Sequence, residues 1–164
     1  DVQRIHPWTM AFAAVAMLWA VALPAAAFAR SRPSTPWAGR VASAAVYVAG
    51  AAVCHQRAER SLALAGVALP VCARCTGIYT AAAAAAAILL TRSRRRTSSR
   101  GRLISGHIRA LACLAVAPTA LTVAYEWSSA RATSNIVRLL AGMPIGLLVA
   151  WLVMRSARPD AQSE

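Results

Sequence analysis

The stretch "VCHQRAERSLALAGVALPVCARCTGIY", Val53 to Tyr79, holds three of the four cysteines in the chain, Cys54, Cys72 and Cys75, and one of its three histidines, His55. It interrupts a chain that is otherwise rich in alanine, leucine and valine. On either side lie apolar segments that reach membrane-spanning length only by borrowing from this window. The window therefore begins and ends at a membrane surface, and the segments around it set the fold.

Working outward, five apolar segments can be marked: about 8–29, 39–58, 76–90, 108–127 and 136–154. A helix that crosses the hydrocarbon needs roughly 20 mostly apolar residues. The expected fold is all-α and integral to the membrane, a single polytopic domain over 1–164 with about five transmembrane helices. The window would form a short hairpin-like loop, with Gly66 at its middle and Pro70 near its end. Ala27-Phe28-Ala29 is an A-x-A-like cleavage pattern that would leave four helices, but the apolar run before it is long for a signal peptide.

The 164 residues are 59% hydrophobic, with 18 arginines, no lysine and only five acids. Such a charge balance suits a nucleic-acid binder, but the arginines do not form a basic face on a soluble fold. They fall between long apolar runs, as in loops at membrane surfaces. The partner they imply is the lipid bilayer, and nucleic acid is excluded. "TRSRRRTSSRGR", 91–102, carries six arginines from Arg92 to Arg102. The positive-inside rule places it in the cytoplasm. With five crossings, the Cys/His window is then extracytoplasmic in a bacterial inner (cytoplasmic) membrane. The linker with Arg30, Arg32 and Arg40 falls inside, Trp37 at the inner interface, and Trp8 and Trp127 at the outer one.

Ala81 to Ala87 is an alanine run that reads as compositional drift before it reads as a packing surface. Gly142 and Gly146 form a G-x-x-x-G, expected first as an internal contact and second as a homo-oligomer or partner face. Cys113, alone in an apolar segment, reads as a small hydrophobe. Glu126 and Arg138 are the ionisable residues closest to the hydrocarbon on the window's side, and such charges are costly unless paired. Glu126 is expected to pair with an arginine of the window or with Arg138.

Three chemistries compete for the thiols. Cys54, His55, Cys72 and Cys75 would make a three-thiolate, one-imidazole set suited to structural zinc. The adjacency of Cys54 and His55 is its weak point, since neighbouring residues rarely ligate one ion in comfort. Alternatively, Cys72-Ala-Arg-Cys75 is a redox pair with Arg74 lowering a thiol pKa and Cys54 as a third, exchanging thiol. The plainest reading is a structural disulfide with one spare thiol. The corresponding roles are a zinc-binding membrane protein, a quinone-coupled thiol oxidoreductase, and a transport or scaffold subunit stapled by a disulfide.

These residues resemble a family. "CHQRAERS" and "LPVCARCTGIY", with the later Ser134, Asn135, Arg138, Gly142 and Gly146, look like the hallmark of the bacterial and archaeal membrane proteins of domain of unknown function 2085. Cys54, His55, Gln56, Arg60 and Ser61 fit the first block; Pro70, Cys72, Arg74, Cys75, Thr76, Gly77 and Tyr79 fit the second. The likeness covers about 41–154. "VAYEWSS" departs from a pattern in which an acid precedes glycine near the end of the fourth helix, where Glu126 is the acid available. The resemblance implies a shared outer-face site but no activity. It also implies that Gln56, Arg60, Arg74, Thr76 and Tyr79 form a polar surround that holds the thiols or binds an anionic or quinone-like ligand.

Overall fold

A computed structural model of the chain describes residues 6–93 and 107–156. Its helices are α1 (Pro7–Ser31), α2 (Trp37–Val53), α3 (Ala73–Ser93), α4 (Ile108–Ser129) and α5 (Asn135–Ser156). Between α2 and α3 come a 3-10 turn, Ala58–Arg60, and a two-stranded antiparallel hairpin, β1 (Ala63–Leu64) and β2 (Val67–Ala68). Ala65 and Gly66 close that hairpin, both with positive φ, as a two-residue turn of matching twist requires. The all-α membrane architecture is as expected. The arginine-rich residues 94–102 lie outside the described residues.

Four helices, α1, α3, α4 and α5, are long and apolar enough to cross a membrane. α3 and α5 run parallel at the centre, in contact through glycine. A Cβ on Gly77 would strike the Leu139 carbonyl, one on Gly142 the Arg74 carbonyl, and one on Gly146 the Ile78 carbonyl. The G-x-x-x-G thus makes an internal contact between α3 and α5. The alanine run is a packing surface after all. Ala81, Ala82, Ala83, Ala85 and Ala86 are buried, and Phe12 of α1 and Ala150 of α5 pack on Ala82 and Ala85.

α1 runs antiparallel to α3. Phe12 meets Ala82 and Ala85, the Trp19 and Tyr79 rings meet edge to face at 6.0 Å, and Leu23 and Ala27 pack on Leu69 and Val71 just ahead of α3. α4 runs antiparallel to α5, with the Thr119 hydroxyl donating to the Ala141 carbonyl at 2.8 Å. The C-terminal ends of α1 and α4 and the N-terminal ends of α3 and α5 therefore share one face, which carries the thiols.

α2 is the expected crossing that falls short of the four candidate spans. Its 17 residues rise about 26 Å, short of a hydrocarbon core of about 30 Å. More decisively, both of its ends lie on the thiol face. It starts beside the last turn of α1, where the Thr35 hydroxyl of the linker donates to the Ala29 carbonyl at 2.7 Å. Midway, the Ser43 hydroxyl donates to the Ala26 carbonyl at 2.9 Å, and the Arg30 guanidinium stacks on the Tyr47 ring at 3.9 Å. It ends at Cys54, beside the start of α3. An antiparallel crossing would carry the end of α2 to the Pro7 end of α1, whereas the Cys54 sulfur accepts from the Cys72 amide just ahead of α3, beside Ala27 and Val71. α2 lies across the end of α1, so Arg30, Arg32, Arg40 and Trp37 share the thiol face, and Trp8 lies on the opposite one. The expectation had set Arg30, Arg32, Arg40 and Trp37 on the face away from the thiols, and Trp8 on theirs.

Candidate metal centre

The site is assembled where two chain segments stop being alike. α2 breaks after Val53: Cys54 is extended, and Gln56 takes a left-handed φ of 48°. The expected helix to residue 58 therefore ends five residues early. The Gln56 side chain holds the break, its Nε2 donating to the Tyr47 and Pro70 carbonyls, each at 2.6 Å. Gly50 is required beside it, since a Cβ there would meet both the Pro70 carbonyl and the Gln56 amide. The Tyr47 hydroxyl donates to the Ala68 carbonyl at 2.5 Å. Together these bonds clamp the hairpin to α2 and bring Cys54 back over the start of α3.

α3 begins at Ala73, three residues earlier than expected, so C-x-x-C spans a helix N-terminus. Cys72 precedes the first helical residue, and its carbonyl accepts from the Thr76 amide at 2.9 Å and the Thr76 hydroxyl at 3.1 Å. Residues three apart across the first turn share a face, which turns Cys75 toward Cys72. The sulfurs of Cys54, Cys72 and Cys75 all lie within 4.8 Å of one another. All three are free, half-buried thiols. The Cys72 amide donates to the Cys54 sulfur at 3.2 Å. The Cys72 thiol is drawn down from 9.0 to about 5, chiefly by the hydrogen bond from the Cys75 thiol, with backbone amides and Cys54 adding to it against the opposing effect of burial.

His55 does not join them. It is exposed, and its ring nitrogens lie outside the group of three. An extended Cys54 followed by the left-handed Gln56 sends consecutive side chains apart. Of the expected polar surround, Gln56 is the clamp described above, Thr76 is buried as the helix-start bond to Cys72, and Tyr79 packs against Trp19 and the cluster around Cys75. Arg60 is exposed in the 3-10 turn. Arg74 reaches α4, where its Nη2 donates to the Thr122 hydroxyl at 3.1 Å, and its buried Nε has no hydrogen-bond partner.

A second polar cluster steadies the same face. Arg138 Nε meets Glu126 Oε1 at 2.9 Å, with the side chains only 4% and 10% exposed. The Thr133 hydroxyl also donates to Glu126, and Arg138 Nη1 donates to Asn135 Oδ1 at 3.1 Å. Asn135 Nδ2 donates to the carbonyl of buried Ser61 at 2.9 Å, which ties the loop to α5. The expected pairing of Glu126 is thus with Arg138. Thr122 and Thr133 were not singled out in the sequence, and an isolated threonine in or beside an apolar helix carries no signal that could have found them.

The family model described as "Predicted membrane protein (DUF2085)" matches residues 54–152, beginning at Cys54 and ending in α5. The chain belongs to the DUF2085 family. An uncharacterized protein of Methanothermobacter thermautotrophicus is 30% identical over 100 residues, which is 61% of this chain and 83% of that protein. No solved structure matches the chain. The DUF2085 match takes in all three clustered cysteines and the Glu126–Arg138 pair, and leaves α1 and α2 outside it.

Proposed function

We propose that the protein is a small inner-membrane protein that holds one zinc ion on Cys54, Cys72 and Cys75 at its extracytoplasmic face. The observation that carries this is the convergence of three free sulfurs within 4.8 Å. Zinc–sulfur bonds of about 2.3 Å put sulfurs about 3.8 Å apart in a tetrahedral site, within about 1 Å of the arrangement seen. A donor set of thiolates suits zinc over hard cations. Cys72 is already biased to the thiolate a metal requires. The ion would join the end of α2 to the start of α3 and leave a fourth position for an outside ligand. The dense arginine run at 92–102 supports a cytoplasmic place for the far face and an outer one for the thiols.

A second reading has one observation in its favour. A CxxC thiol with its pKa drawn down to about 5, beside a third thiol, is the arrangement of a thiol–disulfide exchanger. Purification without chelator, followed by metal mass spectrometry and thiol alkylation, separates the two. Zinc is expected at one per chain, reduced at least tenfold in Cys72→Ser and unchanged in His55→Ala. A metal-free protein with a reducible Cys72–Cys75 disulfide would establish the exchanger in its place.

A further inference from the structure

The elbow between α1 and α2 holds a site of different chemistry. Ala29, Arg30, Arg32, Pro33, Arg40 and Ser43 line an open cleft of about 450 Å³, within the range of small-molecule sites. Its three guanidinium groups are held in place. Arg30 stacks on Tyr47 at 3.9 Å, and Arg32 stacks on Phe28 at 4.3 Å. Arg40 donates through Nε to the Thr35 carbonyl at 3.0 Å and through Nη2 to the Pro33 carbonyl at 2.7 Å. Stacking occupies the flat faces of a guanidinium and leaves its edge N–H groups to bond an anion. Rings and carbonyls orient these cations without neutralising them. No carboxylate lines the cleft. Among the described residues only Glu59 and Glu126 are acidic, and Glu126 is taken by Arg138.

The cleft sits at the end of α1, a helix long and apolar enough to cross a membrane. Beside it Phe28, Trp37 and Val41 present exposed apolar surface. We propose that the cleft binds the phosphate group of an anionic phospholipid, whose acyl chains lie along Phe28, Trp37 and Val41. Paired N–H groups of arginine match phosphate oxygens, and basic pockets beside transmembrane helices take anionic headgroups. Such a lipid would brace α2 against α1 while relieving the mutual repulsion of the three arginines.

The test uses the full chain in detergent, with thermal unfolding read after addition of phosphatidylglycerol, phosphatidylcholine or inorganic phosphate. Phosphatidylglycerol near 100 times its Kd should raise Tm by roughly 5–10 °C, with phosphatidylcholine and inorganic phosphate giving no comparable rise. The triple variant R30Q/R32Q/R40Q should lose the shift, and R57Q/R131Q, which removes charge elsewhere on the same face, should keep it. Should the triple variant fail to fold, Arg32→Gln alone, at an exposed side chain, should still halve the shift. An equal rise with phosphatidylcholine, or a rise that survives in both arginine variants, overturns the site. An equal rise with inorganic phosphate overturns the lipid and leaves a soluble phosphate as the ligand.

Discussion

Arg138 is a costly side chain to bury, and its surroundings account for it. It sits 3% exposed in the first turn of α5, where it meets Glu126, while Asn135 takes a second donor. Removing one partner of a buried ion pair strands the other, at a cost of about 3–5 kcal/mol, whereas replacing both with neutral groups is close to neutral. Glu126→Gln should therefore lower the thermal stability of the detergent-solubilised protein sharply. Combining it with Arg138→Met should recover more than half of the loss. A Glu126→Gln variant as stable as the wild type would show that the pair is only geometric. At this scale the sequence was informative. A glutamate and an arginine at the same end of two apolar helices have few alternatives to each other. The separation of His55 from Cys54 was not legible, because it follows from the left-handed Gln56, whose conformation is fixed by carbonyls nine and fourteen residues away.

Among the elements, the parallel α3–α5 pair is the frame on which the site depends. Gly77, Gly142 and Gly146 let the two backbones touch, and that contact fixes the start of α3, where Cys72 and Cys75 stand, relative to Asn135 and the loop it holds. A side chain at Gly146 would push directly on the Ile78 carbonyl, and backbone cannot yield as a flexible side chain can. Gly146→Val should cost about 1–3 kcal/mol or more. Leu147→Val, at a half-exposed neighbour, should change stability by only about 0.5 kcal/mol. Equal effects would mean that the glycine contact is loose. α2 is the element the sequence misplaced. Its apolar composition is what a crossing helix would have, and composition does not tell lying across a bilayer surface from passing through it. The distinction rests on Ser43, Tyr47 and Gly50, whose partners in α1 and the hairpin cannot be read from α2 itself.

For the whole molecule, α2 is the element that decides between an odd and an even number of crossings. Short epitopes inserted after Ser34 and after Gly66, both exposed positions in turns, should be reached by antibody from the same side of sealed, oriented vesicles. Five crossings would put them on opposite sides. The arginine pattern could not decide this from sequence, because Arg30, Arg32 and Arg40 were assigned to a side by counting helices, and one miscounted helix reverses them.

The same parity bears on biogenesis. α1 and α3 bound a single uninterrupted segment, residues 32–72, which holds the linker, α2, the hairpin and two of the three clustered thiols. This segment must be delivered to its side of the bilayer as one block, carrying four arginines against one glutamate. With α2 lying across the surface, Cys54 and Cys72 reach the same compartment, and its redox conditions, on one segment.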